Sequence, residues 1–220
     1  MNIEQARFNM IEQQIRPWDV LDAHVLQLLA VIKREDFVPL AHKALSFVDM
    51  DIPLGSLVLG ECMLSPKVEA RILQDLQVNK HETVLEIGTG SGFMTAMLAH
   101  RAQFVTTLEI NADLATKASQ NLEQADVYNA KVIEADGSKD LTNFGTFNVI
   151  VLSGSVAQIP ANILNMLKVG GRCMAIVGDE PVMRATLVQR ISDTAFETKQ
   201  SWDTIAPRLH GFSETPRFHF

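Results

Sequence analysis

The chain has 220 residues, 47% of them hydrophobic and 20% charged, which excludes a disordered or collagen-like protein and suits one compact unit with a modest appendage. Nineteen Lys and Arg against 26 Asp and Glu leave a net charge of −7, which opposes sequence-independent binding to phosphate backbones or anionic lipid. Neither nucleic acid nor a membrane is an expected partner.

Glu4, Arg7, Glu12 and Arg16 interrupt the apolar residues at the N-terminus, so Ile3 to Ile15 reads as a weak helix and not as a secretion signal. In Val20 to Lys33, Leu21, Val25, Leu28, Leu29 and Ile32 recur at helical spacing between Pro17 and Pro39, which predicts a second helix. Asp49 to Leu64 holds Pro53, Gly55 and Gly60 without a sustained period, the pattern of loop or short irregular strand. Ser65-Pro66 then opens a helix with Val68, Ile72, Leu73 and Leu76 on its inner face and proline at the first helical position.

From Thr83 the rhythm changes. Short apolar runs at Thr83 to Ile87, Phe104 to Leu108, Lys131 to Ile133, Phe147 to Leu152 and Arg172 to Val177 are separated, in three of the four gaps, by helix-like stretches. This βαβ alternation predicts a mainly parallel sheet with helices on both faces and a ligand at the carboxyl ends of the strands. Two further strands, Thr186 to Ile191 and Phe196 to Trp202, flank the turn Ser192-Asp193-Thr194 and are expected to pair antiparallel. No segment is long and apolar enough to span a bilayer. Cys62 and Cys173 are the only cysteines, and neither they nor the six histidines have metal-ligand spacing, so no metal is expected and a reducing cytoplasm is the simplest location.

The segment Val84-Leu85-Glu86-Ile87-Gly88-Thr89-Gly90-Ser91-Gly92 is a strand entering a glycine turn ahead of a helix from about Phe93. Glycines there permit a sharp turn and close approach of a ligand. The third glycine comes one position too early for a dinucleotide fingerprint, Glu86 stands just ahead of the turn, and His81 to His100 contains no Lys or Arg, so a diphosphate is disfavoured. A cationic, phosphate-free nucleoside such as S-adenosylmethionine suits the setting better. Glu109 ends the second strand 23 residues after Glu86, near the spacing at which an acid meets ribose hydroxyls, and Asp136-Gly137 follows the third, where a carboxylate can accept from an adenine amino group. Strand-end acids also cap helices, and Asp-Gly is an ordinary turn.

With these motifs the sequence resembles the class I S-adenosylmethionine-dependent methyltransferases and, more narrowly, the protein-L-isoaspartate O-methyltransferase family, over roughly Met10 to Val177. The narrower carriers are Met10-Ile11-Glu12-Gln13-Gln14-Ile15-Arg16, Arg34-Glu35-Asp36-Phe37-Val38-Pro39, the Glu86 to Gly92 turn, Ile159-Pro160 and Leu167-Lys168-Val169-Gly170-Gly171. The resemblance implies a Rossmann-like α/β fold with a mainly parallel seven-stranded sheet. An N-terminal helical extension with the active-site loop (1–78) would precede an S-adenosylmethionine-binding core (79–220) that ends in antiparallel strands and a tail. It also implies methylation of the L-isoaspartyl carboxylate in damaged peptides or proteins. The cofactor residues would be Glu86, Gly88, Thr89, Gly90, Ser91, Gly92, Glu109, Asp136 and Gly137.

By position Ser65 matches the family's active-site serine in Thr-Ile-Ser-x-Pro, but Met63 replaces the threonine, Cys62 replaces the usual glutamine and proline comes one residue early. Serine directly before a helix-starting proline also has the signature of an N-cap. A second departure is Val151-Leu152-Ser153-Gly154-Ser155, where the family shows Val-Thr-Ala-Ala. Both departures face the acceptor, so the alternatives are another acceptor for the same cofactor or a catalytically inactive homologue. The tail from Pro207 to Phe220, with Phe212, Phe218 and Phe220, is expected to dock. The chain is expected to be a monomer or a dimer.

Overall fold

The computed structural model describes residues 2–214; Arg217, Phe218, His219 and Phe220 of the tail lie outside them. Helix α1 (Ile3–Met10) starts where the Asn2 side chain accepts from the Gln5 amide. It continues through a π turn over Ile11–Ile15 into a 3-10 turn over Arg16–Trp18. Helix α2 (Ala23–Val31) is shorter than its apolar period because Asp22 accepts from the His24 and Val25 amides and fixes the start. Leu21 is left outside it and 62% exposed. A single turn, α3 (Arg34–Phe37), follows.

The aperiodic stretch after residue 49 holds two short strands, β1 (Ile52–Pro53) and β2 (Cys62–Met63), which pair antiparallel with Ile52 opposite Met63. Helix α4 (Pro66–Leu76) buries Val68, Ile72, Leu73 and Leu76, as the spacing predicts.

The main sheet is built from β3 (Thr83–Ile87), β4 (Phe104–Glu109), β5 (Ala130–Glu134), β6 (Phe147–Val156), β7 (Leu167–Asp179), β8 (Val182–Arg190) and β9 (Phe196–Thr204). Its seven strands run in the order β5-β4-β3-β6-β7-β8-β9. The first five are mutually parallel and the last two antiparallel, the mainly parallel arrangement expected from the alternation. Helices α5 (Phe93–Arg101), α6 (Ala112–Gln124) and α7 (Ala161–Asn165) complete the α/β layers. Between β5 and β6 only a 3-10 turn, Thr142–Phe144, intervenes.

Both faces of the sheet are covered, which is why its central strands are continuous apolar runs. Val84, Val105, Val149 and Met174 point to the core shared with α1, α2, α4 and α5. Leu85, Ile87, Ile150 and Leu152 point to the opposite core with Ile163 of α7 and Phe212 of the tail. The chain leaves β3 toward β4 and β5, then returns to place β6 on the other side of β3. That reversal opens a crevice beyond the carboxyl ends of β3 and β6. Beyond β9 the tail crosses the crevice: the Ser155 amide donates to the Pro207 carbonyl at 2.8 Å and the Leu209 amide to the Ser155 carbonyl at 2.9 Å. Phe212 is buried, as its aromatic character predicts.

Candidate active site

The crevice is a cleft bordered by Gly88 and Gly90 of the glycine turn, Glu109 at the end of β4, Gly137 after β5, Ser153 of β6 and Leu209 of the tail. Gly88 has φ +93° and Gly90 φ +54°, a backbone region costly for residues with a Cβ. The turn is tied to β4 from both ends. The Gly88 amide donates to the Leu108 carbonyl at 2.9 Å, and the Gly90 amide to Glu109 Oε2 at 2.8 Å.

Glu109 also accepts from the Asn111 amide through Oε1 at 3.1 Å. It is 6% exposed, yet it borders the cleft. A carboxylate offers about four lone-pair directions, so two acceptor positions remain for a ligand with hydroxyl donors.

Glu86 lies under the turn, fully buried, and does not border the cleft. Its Oε2 accepts from Thr95 Oγ1 at 2.5 Å and Thr107 Oγ1 at 2.9 Å, and its Oε1 from Ser153 Oγ at 2.8 Å. Burial pushes its carboxyl up to about 7 against the pull of those three hydroxyls. Glu86 therefore reaches the cleft only through Ser153.

The other sequence-derived residues divide. Thr89 and Ser91 border a smaller adjoining cavity together with Cys62, Leu64, Glu69 and Ser153. Gly92 begins α5 and packs toward α6, where a Cβ would come 3.3 Å from the Ala118 carbonyl. Asp136 turns into its own loop: Oδ1 accepts from the Ser138 amide at 2.9 Å and hydroxyl at 2.6 Å. Its neighbours Ala135 and Gly137 form the cleft wall.

Ser65 stands at the N-cap of α4, but its side chain makes no capping hydrogen bond. Its amide donates to Asp51 Oδ1 at 2.7 Å. Ser65 is 7% exposed, and the adjoining Leu64, not Ser65, borders both cavities. The loop it follows is anchored by Arg34, which ion-pairs with Glu69 of α4 and donates to the Leu64 carbonyl at 2.7 Å. Cys62 sits in this loop with its thiol pushed up to about 12 by burial and by the nearby Asp51 and Glu69 carboxylates, so it is not a thiolate nucleophile at neutral pH.

Sequence reasoning missed Glu61, and it expected the tail to dock without naming which of its residues would border the cleft. Glu61 borders the cleft, accepts from Asn111 Nδ2 at 2.8 Å and from the Ser56 amide at 2.6 Å, and so clamps its loop to the end of β4. His210 Nε2 lies 2.6 Å from the Leu59 carbonyl. Arg208 brings to the cleft a cation that the glycine-turn segment lacks; it pairs with Asp179 at 2.5 Å and Glu214 at 3.6 Å. Glu61 with Asn111, His210 with Leu59 and Arg208 with Asp179 lie tens of residues or more apart, and no local pattern signals them.

The protein-family model described as Protein-L-isoaspartate(D-aspartate) O-methyltransferase matches residues 5–206. The protein-L-isoaspartate O-methyltransferase of Koribacter versatilis is 35% identical over 184 residues, covering 84% of this chain and 81% of that protein. That of Petrotoga mobilis is 30% identical over 202 residues, covering 91% and 93%. In fold, the chain is similar to a Plasmodium falciparum structure assigned as a protein-L-isoaspartate O-methyltransferase in complex with S-adenosyl-L-homocysteine. The TM-score is 0.79 at 15% identity, over 95% of this chain and 98% of that one.

Proposed function

The chain belongs to the protein-L-isoaspartate O-methyltransferase family, and on that premise we propose that it transfers the methyl group of S-adenosyl-L-methionine to the free carboxylate of L-isoaspartyl residues in damaged proteins. The observation that carries the reading is the cleft at the sheet's reversal point, where Glu109 presents a carboxylate beside a glycine turn without a Cβ at Gly88 or Gly90. Its donor set fits the cofactor. Glu109 has acceptor capacity for ribose hydroxyls, Gly137 and Ala135 form a wall for the adenine, and the turn admits the methionine end. Arg208 pairs through Nη2 with Asp179 and through Nε with Glu214.

S-adenosyl-L-methionine supplies, when bound, a methyl group activated by a positive sulfur. The protein's part is positioning and exclusion of water, because an acceptor carboxylate is already nucleophilic at neutral pH. Cys62 and Leu64 roof the site from the 1–78 extension, the turn and Ser153 floor it from the 79–220 core, and the tail closes its outer side. For Ser65 we propose the acceptor-orienting role that the family motif implies: its hydroxyl is not engaged in capping α4, although Leu64 and not Ser65 borders the two cavities here. We place this activity in the cytoplasm, in keeping with two free cysteines; among the described residues no helix is long and apolar enough to cross a membrane.

The deciding experiment incubates the protein with methyl-labelled cofactor and an isoaspartyl peptide beside its normal aspartyl twin, then measures base-labile methyl ester. Ester on the isoaspartyl peptide alone is the expected result. A folded, cofactor-loaded protein that esterifies neither peptide refutes the acceptor assignment.

A further inference from the structure

We propose that Ser153 contacts the methyl-bearing sulfonium side of the donor and presents oxygen lone pairs to it, because its hydroxyl proton is committed to Glu86. This rests on the reading of the donor as S-adenosyl-L-methionine; it does not depend on the identity of the acceptor. The parallel register of β3 and β6 pairs Ile87 with Leu152, so the next residues along, Gly88 and Ser153, lie side by side. A Cβ on Gly88 would stand 3.4 Å from the Ser153 carbonyl. Ser153 borders both the main cleft and the smaller cavity roofed by Cys62 and Leu64. A ligand seated on the turn at Gly88 therefore meets Ser153, whereas Ser65 borders neither space.

The direction of the hydroxyl follows from counting protons. Ser153 has one, and with Glu86 ionised it points to Glu86 Oε1 at 2.8 Å. Glu86 collects two more from Thr95 and Thr107 on Oε2, and Thr107 Oγ1 is in turn 2.6 Å from Thr89 Oγ1 of the glycine turn. The chain of hydroxyls ties β4, α5, the turn and β6 to one buried carboxyl, and it leaves the lone pairs of the Ser153 oxygen free to accept. A methyl group on positive sulfur has polarised C–H bonds that such an oxygen attracts. Glu86 is then a positioning residue that acts through Ser153.

The test compares S-adenosyl-L-methionine with S-adenosyl-L-homocysteine, which lacks the methyl group and the positive charge, by calorimetry on the full chain and on Ser153→Ala and Ser153→Thr. Ser153→Ala is expected to lower the affinity for the sulfonium compound relative to the thioether by about two- to fivefold, the size of a C–H···O contact, and Ser153→Thr to restore the ratio. With an isoaspartyl peptide, Ser153→Ala should lower kcat while leaving the peptide KM unchanged. Equal weakening of both ligands, no change in either, or failure of threonine to restore the ratio overturns the proposal. A native chain that binds both ligands yet methylates no isoaspartyl peptide refutes the acceptor reading and leaves the affinity ratio to decide on Ser153. A chain that binds neither overturns both.

Discussion

Replacing Arg34 with methionine asks how firmly the N-terminal extension holds the roof of the site. Arg34 is 1% exposed; it pairs with Glu69, donates to the Leu64 carbonyl at 2.7 Å and lies 5.0 Å from the centre of the Phe93 ring. Burial already pushes the Glu69 carboxyl up to about 7 despite the adjacent guanidinium. Without that guanidinium the carboxylate is stranded, which costs about 3–5 kcal/mol for a broken buried pair, and the Leu64 carbonyl loses its donor, about 1 kcal/mol more. The double variant Arg34→Met with Glu69→Leu removes the stranded charge and is expected to lie within about 2 kcal/mol of the native protein, since buried pairs replaced by apolar groups are often near neutral.

The pH dependence carries a definite sign. A carboxyl whose folded pKa is raised favours the folded state below its unfolded pKa and loses that advantage as pH rises through the folded value. Loss of Arg34 raises the folded pKa of Glu69 further. Near pH 5.5 Glu69 is mostly protonated in both proteins, and the deficit of Arg34→Met shrinks to its packing and carbonyl parts; at pH 8 it is larger. Urea unfolding of the native chain, both single variants and the double variant, at pH 5.5 and pH 8, gives the coupling directly. A coupling below about 1 kcal/mol at pH 8, or a deficit that does not change with pH, refutes the reasoning.

Glu109→Gln exchanges charge-assisted hydrogen bonds for neutral ones and should weaken S-adenosyl-L-homocysteine by about 1–2 kcal/mol, roughly 5- to 30-fold by calorimetry, with little effect on the unfolding midpoint. Gly154→Ala would put a Cβ 2.8 Å from Leu209 Cγ and 3.1 Å from the Pro207 carbonyl. It should dislodge the tail at a cost of about 1–3 kcal/mol, seen as faster amide exchange at Leu209 than in the native chain. Because the Ser65 side chain makes no cap bond, Ser65→Ala should change stability by less than about 0.5 kcal/mol while lowering turnover on an isoaspartyl peptide; a loss near the ~1 kcal/mol of a helix cap with full turnover would assign Ser65 to capping alone.

The strands and their mainly parallel pairing were legible in the sequence, whereas their order and the starts of β7 and β8 were not. Thr83 to Ile87 is a strand with the predicted limits, and the alternation of apolar runs with helices was enough for a mainly parallel arrangement, because a strand covered on both faces must be apolar throughout. The glycine turn and Glu109 were legible for a similar reason: positive φ and a strand-end carboxylate are local requirements written in consecutive residues. What a side chain faces is not local. Glu86 and Asp136 have the right residue type at the right strand ends, yet Glu86 is folded beneath the turn by hydroxyls from α5, β4 and β6, and Asp136 is drawn into its own loop by Ser138. Tertiary packing alone decided that Ser153, Glu61 and the tail share a cleft with the turn. Contacts such as Leu209 to Ser155 and Glu61 to Asn111 join segments whose separation along the chain leaves no periodic trace; they exist only once the sheet has set its strand ends side by side.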